Sequence, residues 1–419
     1  MDKSSIITFA IPVFFLMILL ELAYGLLKGK NTYRVNDTFT SISIGLISRL
    51  PVILNLGFQG AIFVYFADRY SINLMPVNEL MTWAIAFVMY DFFYYWMHRL
   101  HHEYRFLWAT HVVHHHGEDY NLATALRQTS TGFLWKWIFF LPMIIVGIPA
   151  EVFVSVAGVN LVYQFWVHTR HIGHLGWIEK IFVTPMNHRV HHAKNKEYID
   201  ANYGGVFILW DRFFGTYIPE RSDIKPVYGT VSKLNSWNPI WANFQVFYQM
   251  LQDTINTKKM SDKFKIWFSR TNWKPIDIVD LSSEDQITNF AKKYNPKIKS
   301  EVNYFAILQL IMLTIASSII LFTIELQDRS DTYAFAIILI MQATFTGMLL
   351  QGKSFSFKSF FIFSLLLLFL IGFIPIIDMN LLASKVFLMQ CVINTSLISV
   401  ALIKDSGCLL YTSPSPRDL

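Results

Sequence analysis

The stretch Asp91–Glu103 reads DFFYYWMHRLHHE. It ends an apolar segment that begins at Leu80, and it passes from aromatic residues straight into histidine. Read as a helix, it is a greasy rod with a polar tip. There His98 and His102 share a face one turn apart, where they can grip one metal ion. The chain holds 13 histidines, and every one lies between His98 and His192. In HVVHH, His111, His114 and His115 sit at i, i+3 and i+4, and His188, His191 and His192 repeat that spacing in HRVHH. The pair and the two triplets exceed the tetrahedral set of a single ion and suit two. His168, in WVHTRHIGH, is a ninth candidate.

A lone histidine on an apolar helix is more often a packed core residue than a ligand. Histidines repeated at ligand spacing are different, because so many buried imidazoles could hardly all find partners without a metal. His101, His116, His171 and His174 fall off the shared faces and are expected to support the ligands or face solvent. The only two cysteines, Cys391 and Cys408, exclude a disulfide scaffold and a thiolate site.

Hydrophobic residues make up 53% of the chain and charged residues 15%, well below the roughly 25% charge of soluble domains. The mean hydropathy of +0.38 agrees. These values imply an all-α, polytopic membrane helical bundle. The net charge of +6 is small and contains no like-charged block, so no nucleic-acid partner is expected.

Ile6–Leu27 reads as a first, retained membrane helix. Phe39–Phe66, broken by Arg49 and Pro51, reads as one kinked helix or a tight pair. Leu80–Met97 is a third span, and Phe133–Ile148 with Ala150–Val167 form a hairpin about Pro149. A polar stretch, Thr169–Ser300, precedes four further apolar runs: Tyr304–Ile324, Tyr333–Leu350, Phe360–Ile377 and Leu381–Ile403. The division expected is N-terminal membrane helices (1–79), a catalytic domain (80–220), a polar cytoplasmic segment (221–302) and a C-terminal multi-helix membrane extension (303–407). The tail 408–419 reads as a non-native addition. Basic loops around Lys28–Arg34 and Lys353–Lys358 place the histidine-rich cap on the cytoplasmic side of a bacterial inner membrane or the endoplasmic reticulum.

Imidazole suits several metals. A nitrogen-rich two-metal site beside a bilayer suits dioxygen activation against a lipid C–H bond, which needs the redox states of iron rather than zinc. Ligating histidines usually give their second N–H to a carboxylate or carbonyl. Asp91, Glu103, Glu118, Asp119, Asp200 and Asp211 are candidates for that duty. Asp91 is the most telling, since it interrupts an apolar helix two turns before His98; the alternative is a structural pair with Arg99 or Arg127. Tyr120, Asn121 and Asn202 are candidates for hydrogen bonds within the site, and Arg127 for anchoring a head group or cofactor. NYGG reads as a tight turn using positive φ at Gly204 and Gly205. WDRFFGTY reads as an amphipathic piece with Trp210, Phe213 and Phe214 at headgroup level.

The segments YYWMHRLHHE, LWATHVVHHHGEDYNLATALRQ, QFWVHT and TPMNHRVHHAKNKEYIDANYGGVFILWDRFFGTY resemble the fatty acid hydroxylase (sterol desaturase) superfamily, whose members are integral-membrane non-haem di-iron oxygenases. The resemblance covers roughly Asp91–Pro219. Its pattern of HxxxH, HxxHH and a later HxxHH falls on the eight histidines named first, and His168 falls where a further ligand often stands. Within the superfamily, the wording around Asp119–Gln128 and Asn202–Thr216 is similar to the alkylglycerol monooxygenases, as is the long apolar C-terminal region. That resemblance implies two iron ions, O2, and tetrahydrobiopterin or another electron donor, such as a protein, acting on a lipid ether. Hydroxylation of the ether-bearing carbon releases an aldehyde and a glycerol derivative. The extra histidines, and HHGED in place of a serine after the second cluster, depart from the pattern and bear on the substrate.

Two rival readings remain: a sterol or fatty-acyl hydroxylase or desaturase without pterin, and a metal transporter. A transporter would hold its ligands near the bilayer midplane on broken helices. Here the histidines occupy polar segments at helix ends.

Overall fold

The computed structural model describes residues 3–54, 59–76, 79–278, 290–323, 327–352, 355–373 and 382–410. Among them every regular element is a helix, and extended pairing is limited to isolated bridges such as Tyr104 with Arg270 and Phe182 with Phe207. Among the described residues, four helices are long and apolar enough to cross a membrane: Ala10–Leu27, Ser300–Phe322, Arg329–Leu349 and Leu382–Ser399. The chain is therefore a multi-pass membrane protein.

Backbone contacts divide it into two compact units. One is Met1–Asn235 with Ile240–Tyr294, and the other is Ser236–Pro239 with Asn295–Leu419. The first unit carries every histidine. Its helices are α1 (Lys3–Leu27), α2 (Val35–Ile47), α3 (Leu50–Ile53), α4 (Gln59–Tyr70), α5 (Leu80–Glu103), α6 (Arg105–His115), α7 (Leu122–Ala125), α8 (Leu141–Val146), α9 (Ala150–Trp166), α10 (Pro185–His191), α11 (Leu209–Phe213), α12 (Pro239–Asn256) and α13 (Met260–Phe268).

The corner between α5 and α6 positions the site. No Gly or Pro interrupts α5, so it runs unbroken for 24 residues. At Tyr104 the backbone turns extended, with φ −116° and ψ 131°, and this one residue ends α5 and begins α6. Arg105 fixes the corner: its backbone N–H donates to the Ser269 carbonyl (3.0 Å) and its guanidinium pairs with Asp253 (2.7 Å). α6 folds back on α5 and brings His111, His114 and His115 against the His98–His102 pair. α9 packs against both α5 and α1. It starts after Gly147, whose left-handed φ of +96° terminates α8. α10 starts at Pro185, with Asn187 Oδ1 accepting from the Thr184 N–H (3.0 Å) and hydroxyl (2.9 Å).

Three expected segments take these forms. Phe39–Phe66, expected as one kinked helix or a tight pair, is helical in pieces on both sides of an undescribed junction. Ser48 ends α2, the single turn α3 follows, and α4 is 12 residues long, with 55–58 outside the described residues. α5 forms as a helix but is not among the four membrane-crossing candidates, because tyrosine, tryptophan, Asp91 and the histidines lower its hydropathy. The rings of WDRFFGTY divide between surface and interior. Phe213 is exposed, but Phe214 stacks on Tyr95 (5.3 Å) and the Trp210 indole donates to Asp91 (3.0 Å).

In the second unit, Ser300–Phe322, Arg329–Leu349, Phe355–Phe373 and Leu382–Leu410 pack as neighbours. Gln309 donates to Asn394 Oδ1 (2.5 Å) inside this bundle, an interhelical polar bond of the kind that joins membrane helices. Phe335 stacks on Phe387 (5.3 Å). The tail from 411 onward, and 374–377 of the expected third apolar run, lie outside the described residues.

Candidate metal centre

The structure sorts the nine expected histidines into two groups. His98, His102, His111, His115 and His191 form one, and His114, His168, His188 and His192 the other. All nine are buried, and within each group one ring nitrogen from every residue lies within 4.8 Å of the others. Each triplet is split between the groups. A helix places i+3 and i+4 on either side of one line, so His114 and His115 diverge, and so do His191 and His192.

The spacings fit ligand sets. Nε2 of His111 lies 3.0 Å from Nε2 of His98 and 3.1 Å from that of His115. In the second group, His168 Nε2 stands 3.3 Å from His114 and 3.1 Å from His188, and His188 lies 3.2 Å from His192. Metal–nitrogen bonds of about 2.1 Å at right or tetrahedral angles put neighbouring ligands about 3.0–3.4 Å apart. The Nε2 atoms of His102 and His191 are buried without a hydrogen-bond partner. Such orphaned acceptors are costly unless a cation takes their lone pairs.

Backbone carbonyls orient the rings. Nδ1 of His98 donates to Tyr203 O (2.8 Å), His114 to Arg127 O (2.9 Å), His168 to Gln164 O (2.8 Å) and His191 to Ala201 O (2.9 Å). A carbonyl only accepts, so Nδ1 holds the proton and Nε2 is bare toward the group. Burial lowers His191 to about 4 and His168 to about 3, so both are neutral at physiological pH. Trp108 covers His102 (5.0 Å) and His115 (5.5 Å).

The expected carboxylate partners stand elsewhere. Among the described residues no hydrogen bond joins Glu103, Glu118 or Asp119 to an imidazole. Glu103 pairs with Arg99 (2.7 Å) and Arg270 (3.6 Å). Glu118 accepts from the Tyr294 N–H (2.7 Å) and pairs with Arg34 (3.4 Å), while Asp119 pairs with Arg34 (2.6 Å) and Lys293. Asp200 approaches His102 only to 3.9 Å. Peptide carbonyls meet the rings where acids were expected.

Asp91 pairs with neither Arg99 nor Arg127. Its carboxylate accepts from the backbone of Val206 (2.7 Å) and Phe207 (2.9 Å), from Asn160 (2.8 Å) and from Trp210 (3.0 Å). Asp211 takes the N–H groups of Tyr203 (2.7 Å) and Gly204 (2.8 Å), and burial raises it to about 6. Two acids thus frame the turn that presents Tyr203 O to His98. The turn's positive φ falls on Asp200 (60°) and Asn202 (57°), not on the glycines. The glycines are needed for room. A Cβ on Gly204 would sit 2.5 Å from Phe207 O, and one on Gly205 2.8 Å from Asp91 Oδ1.

Tyr120 donates to Val167 O (2.9 Å) and lays its ring against His168 (5.7 Å) and His192 (5.3 Å). Asn121 caps α7 by accepting from the Ala123 N–H (3.0 Å). Asn202 donates to Asn187 O (3.0 Å) and Ile218 O (2.8 Å). The Arg127 side chain is wholly buried and binds Val113 O (2.8 Å), Ser41 (3.2 Å) and Asp37 (3.4 Å). Its Nη2 is buried without a hydrogen-bond partner, and its carbonyl accepts from His114. His101 and His116 are buried rather than solvent-facing, whereas His174 is exposed and paired with Glu179 (2.5 Å).

Two acids were missed. Asp37 accepts from the N–H groups of Glu118 (2.9 Å) and Asp119 (2.8 Å). Glu21, inside the first membrane-crossing candidate, takes the Leu122 N–H (2.8 Å) and the hydroxyls of Tyr33 and Thr169, the latter next to His168. An acid within an apolar run was the available signal.

A cavity of about 750 Å³ reaches His98, His101, His111, His114 and His168. Phe14, Phe15, Ile42, Phe63, Phe153 and Phe165 are among its walls. Its size and lining suit an apolar ligand.

A family model described as Fatty acid hydroxylase matches residues 83–216. An alkylglycerol monooxygenase of Xenopus tropicalis is 37% identical over 314 residues, which are 74% of this chain and 70% of that protein. One of Danio rerio is 36% identical over 350 residues, 82% of this chain and 77% of that protein. One of Homo sapiens is 40% identical over 267 residues, 64% and 59% of the two chains. No solved structure matches.

Proposed function

Since this chain belongs to the alkylglycerol monooxygenase family and is thereby a membrane-bound lipid monooxygenase, we propose that its two histidine groups each hold one iron ion and that its substrate is an alkyl ether of glycerol. The convergence of nine buried imidazoles on two centres at the end of an apolar cavity carries this reading. Iron, when bound, supplies the capacity to activate dioxygen.

Overall, one oxygen atom enters the C–H bond of the ether-bearing carbon and the other leaves as water, which requires two electrons and two protons. Tetrahydrobiopterin or another donor, including an electron-donor protein, supplies the electrons. The product is a hemiacetal, whose C–O bond breaks to give an aldehyde and a glycerol hydroxyl. The chain's own part is positioning. The aromatic and aliphatic walls hold the alkyl tail and exclude water. The carbonyls of Tyr203, Arg127, Gln164 and Ala201 keep Nδ1 protonated, and Asp91 and Asp211 hold the turn that supplies the first of them.

The reading includes a catalytic domain at 80–220, flanked by membrane helices at 1–79 and 303–407 and a polar segment at 221–302. The histidine site faces the cytoplasm, because basic residues gather in the loops assigned to that side. Purified protein, assayed for iron and then given dioxygen, an alkylglycerol and reduced pterin, tests the function. Aldehyde release dependent on all three supports it. Oxidation of sterols or fatty acyl chains alone would replace it with the hydroxylase or desaturase reading, and metal flux in vesicles without oxygen uptake would replace it with transport.

A further inference from the structure

Beyond the residues matched to the fatty acid hydroxylase family, α12 and α13 form a layer with two unlike faces. The inner face packs on α6, the helix that carries His111, His114 and His115. Met250 and Ile266 bury Ala109, and Ala242 closes on Val113 and Ile44. Asp253 of α12 holds Arg105 at the start of α6 (2.7 Å). The two helices of the layer are also tied to each other. The Trp267 indole donates to the Thr254 hydroxyl oxygen (3.0 Å), and the Lys263 ammonium donates to the Thr254 carbonyl (2.7 Å).

The outer face is apolar. Phe244, Tyr248, Leu251 and Ile255 stand at i, i+4, i+7 and i+11 on α12, which sets them in one stripe. Met260, Phe264 and Phe268 make a second stripe at i, i+4 and i+8 on α13. These side chains are 46% to 74% exposed, whereas a surface that meets only water scatters its large apolar groups singly. Neither helix is among the membrane-crossing candidates. α12 carries Asn, Gln and Asp along its length, and α13 has only nine residues. A helix too polar or too short to cross a bilayer, yet apolar along one side, is stable lying in the plane of the interface.

Charge gives the sign of the surface. The span 239–276 has six basic residues and two acidic ones, and one of those acids, Asp253, is already held by Arg105. Lys258 and Lys259, in the connection between the helices, and Lys265 on α13 are exposed. Lysine stems beside an apolar stripe reach lipid phosphates while the stripe sinks below them.

We propose that α12 and α13 are an in-plane membrane anchor whose outer face docks on an anionic lipid surface, with the two stripes among the acyl chains and the lysines against the phosphates. Because the inner face grips α6, the anchor sets the depth of His111, His114 and His115 relative to the bilayer.

The test uses the purified full chain in nanodiscs of phosphatidylcholine mixed with phosphatidylglycerol. Cys391→Ala and Cys408→Ala remove the native thiols, and a nitroxide is attached singly at Tyr248→Cys, Phe264→Cys or, as a reference on an exposed polar loop, Glu197→Cys. Dissolved oxygen should relax the labels at 248 and 264 more than an aqueous nickel chelate does, at a depth of about 5–10 Å, and the label at 197 should show the reverse. Both labels should lie shallower in phosphatidylcholine alone, and the combined Lys258→Gln, Lys259→Gln and Lys265→Gln protein should lose that difference between lipids. Nickel reaching 248 and 264 as freely as 197 would place the face in water and overturn the proposal. Exclusion of both reagents, with dipolar broadening between labels, would mean that a second copy covers the face, and overturns it too. Hydrogen exchange across 239–270 of the unaltered protein gives a reading that needs no variant. It should slow when phosphatidylglycerol is present, and equal rates in the two lipids would sink the anionic anchor.

Discussion

His98 donates from Nδ1 to the backbone carbonyl of Tyr203 at 2.8 Å, across a separation of 105 residues. Asp91, on the same helix as His98, binds the backbone of Val206 and Phe207 just beyond Tyr203. One helix thus carries a metal-ligand candidate and the acid that steadies the carbonyl orienting it.

Asp91→Asn should loosen this arrangement. The amide keeps one acceptor oxygen but turns an NH2 group toward donors, leaving at least one buried N–H unsatisfied at a cost of about 1–3 kcal/mol. Metal affinity should fall about 10- to 100-fold, as for other residues that orient ligands. Thermal unfolding in detergent and metal titration measure the two effects. Unchanged metal affinity would remove Asp91 from the positioning role.

His191→Ala and His192→Ala are neighbours in sequence but belong to different groups. Each should weaken a different centre, abolish turnover and leave membrane insertion intact. Elemental analysis with iron spectroscopy should find two distinct singly depleted proteins. Identical spectra with full metal content would contradict the division.

Acid should destabilise the metal-free protein. The folded values of His191 (about 4) and His168 (about 3) lie below the ordinary histidine value because burial disfavours the cation. The unfolded chain then binds more protons, so stability rises with pH across this window. The contribution of these residues is full above about pH 6.5 and is lost as pH falls toward 4 and then 3, by up to about 1.4 kcal/mol per pH unit for each histidine. Chemical denaturation of the apo-protein at pH 7.5 and 5.5 measures this. A midpoint that does not fall at the lower pH would contradict neutral burial of the pair.

Arg127→Met should affect stability rather than cofactor use. It strips the buried Asp37 of one of its cations, the other being Arg34, and such a loss costs about 3–5 kcal/mol. In the protein that folds, the KM for the reductant should equal that of the unaltered enzyme. A raised KM at unchanged stability would return Arg127 to a cofactor-binding role.

The helical class, the placing of most apolar segments and the identity of all nine clustered histidines were legible in the chain, because hydropathy and the i, i+3, i+4 spacing are local properties. The charged and polar candidates were not legible in the same way. Glu103, Glu118 and Asp119 are near the histidines in sequence, yet their partners are Arg99, Arg270, Arg34 and Lys293. An acid pairs with whichever cation the fold brings near, and spacing does not encode that.

By itself, then, the sequence determined that helices would form, that their apolar faces would seek a membrane, and that imidazoles would stand one turn apart. Tertiary structure alone decided which histidine joins which group, that peptide carbonyls rather than acids orient the rings, and that Arg127 is buried inside the protein. The physical reason is that a helix fixes side-chain direction over a few residues. The close approach of His98 to His191, or of His114 to His168, depends on how the α5–α6 corner, α9 and α10 pack against one another.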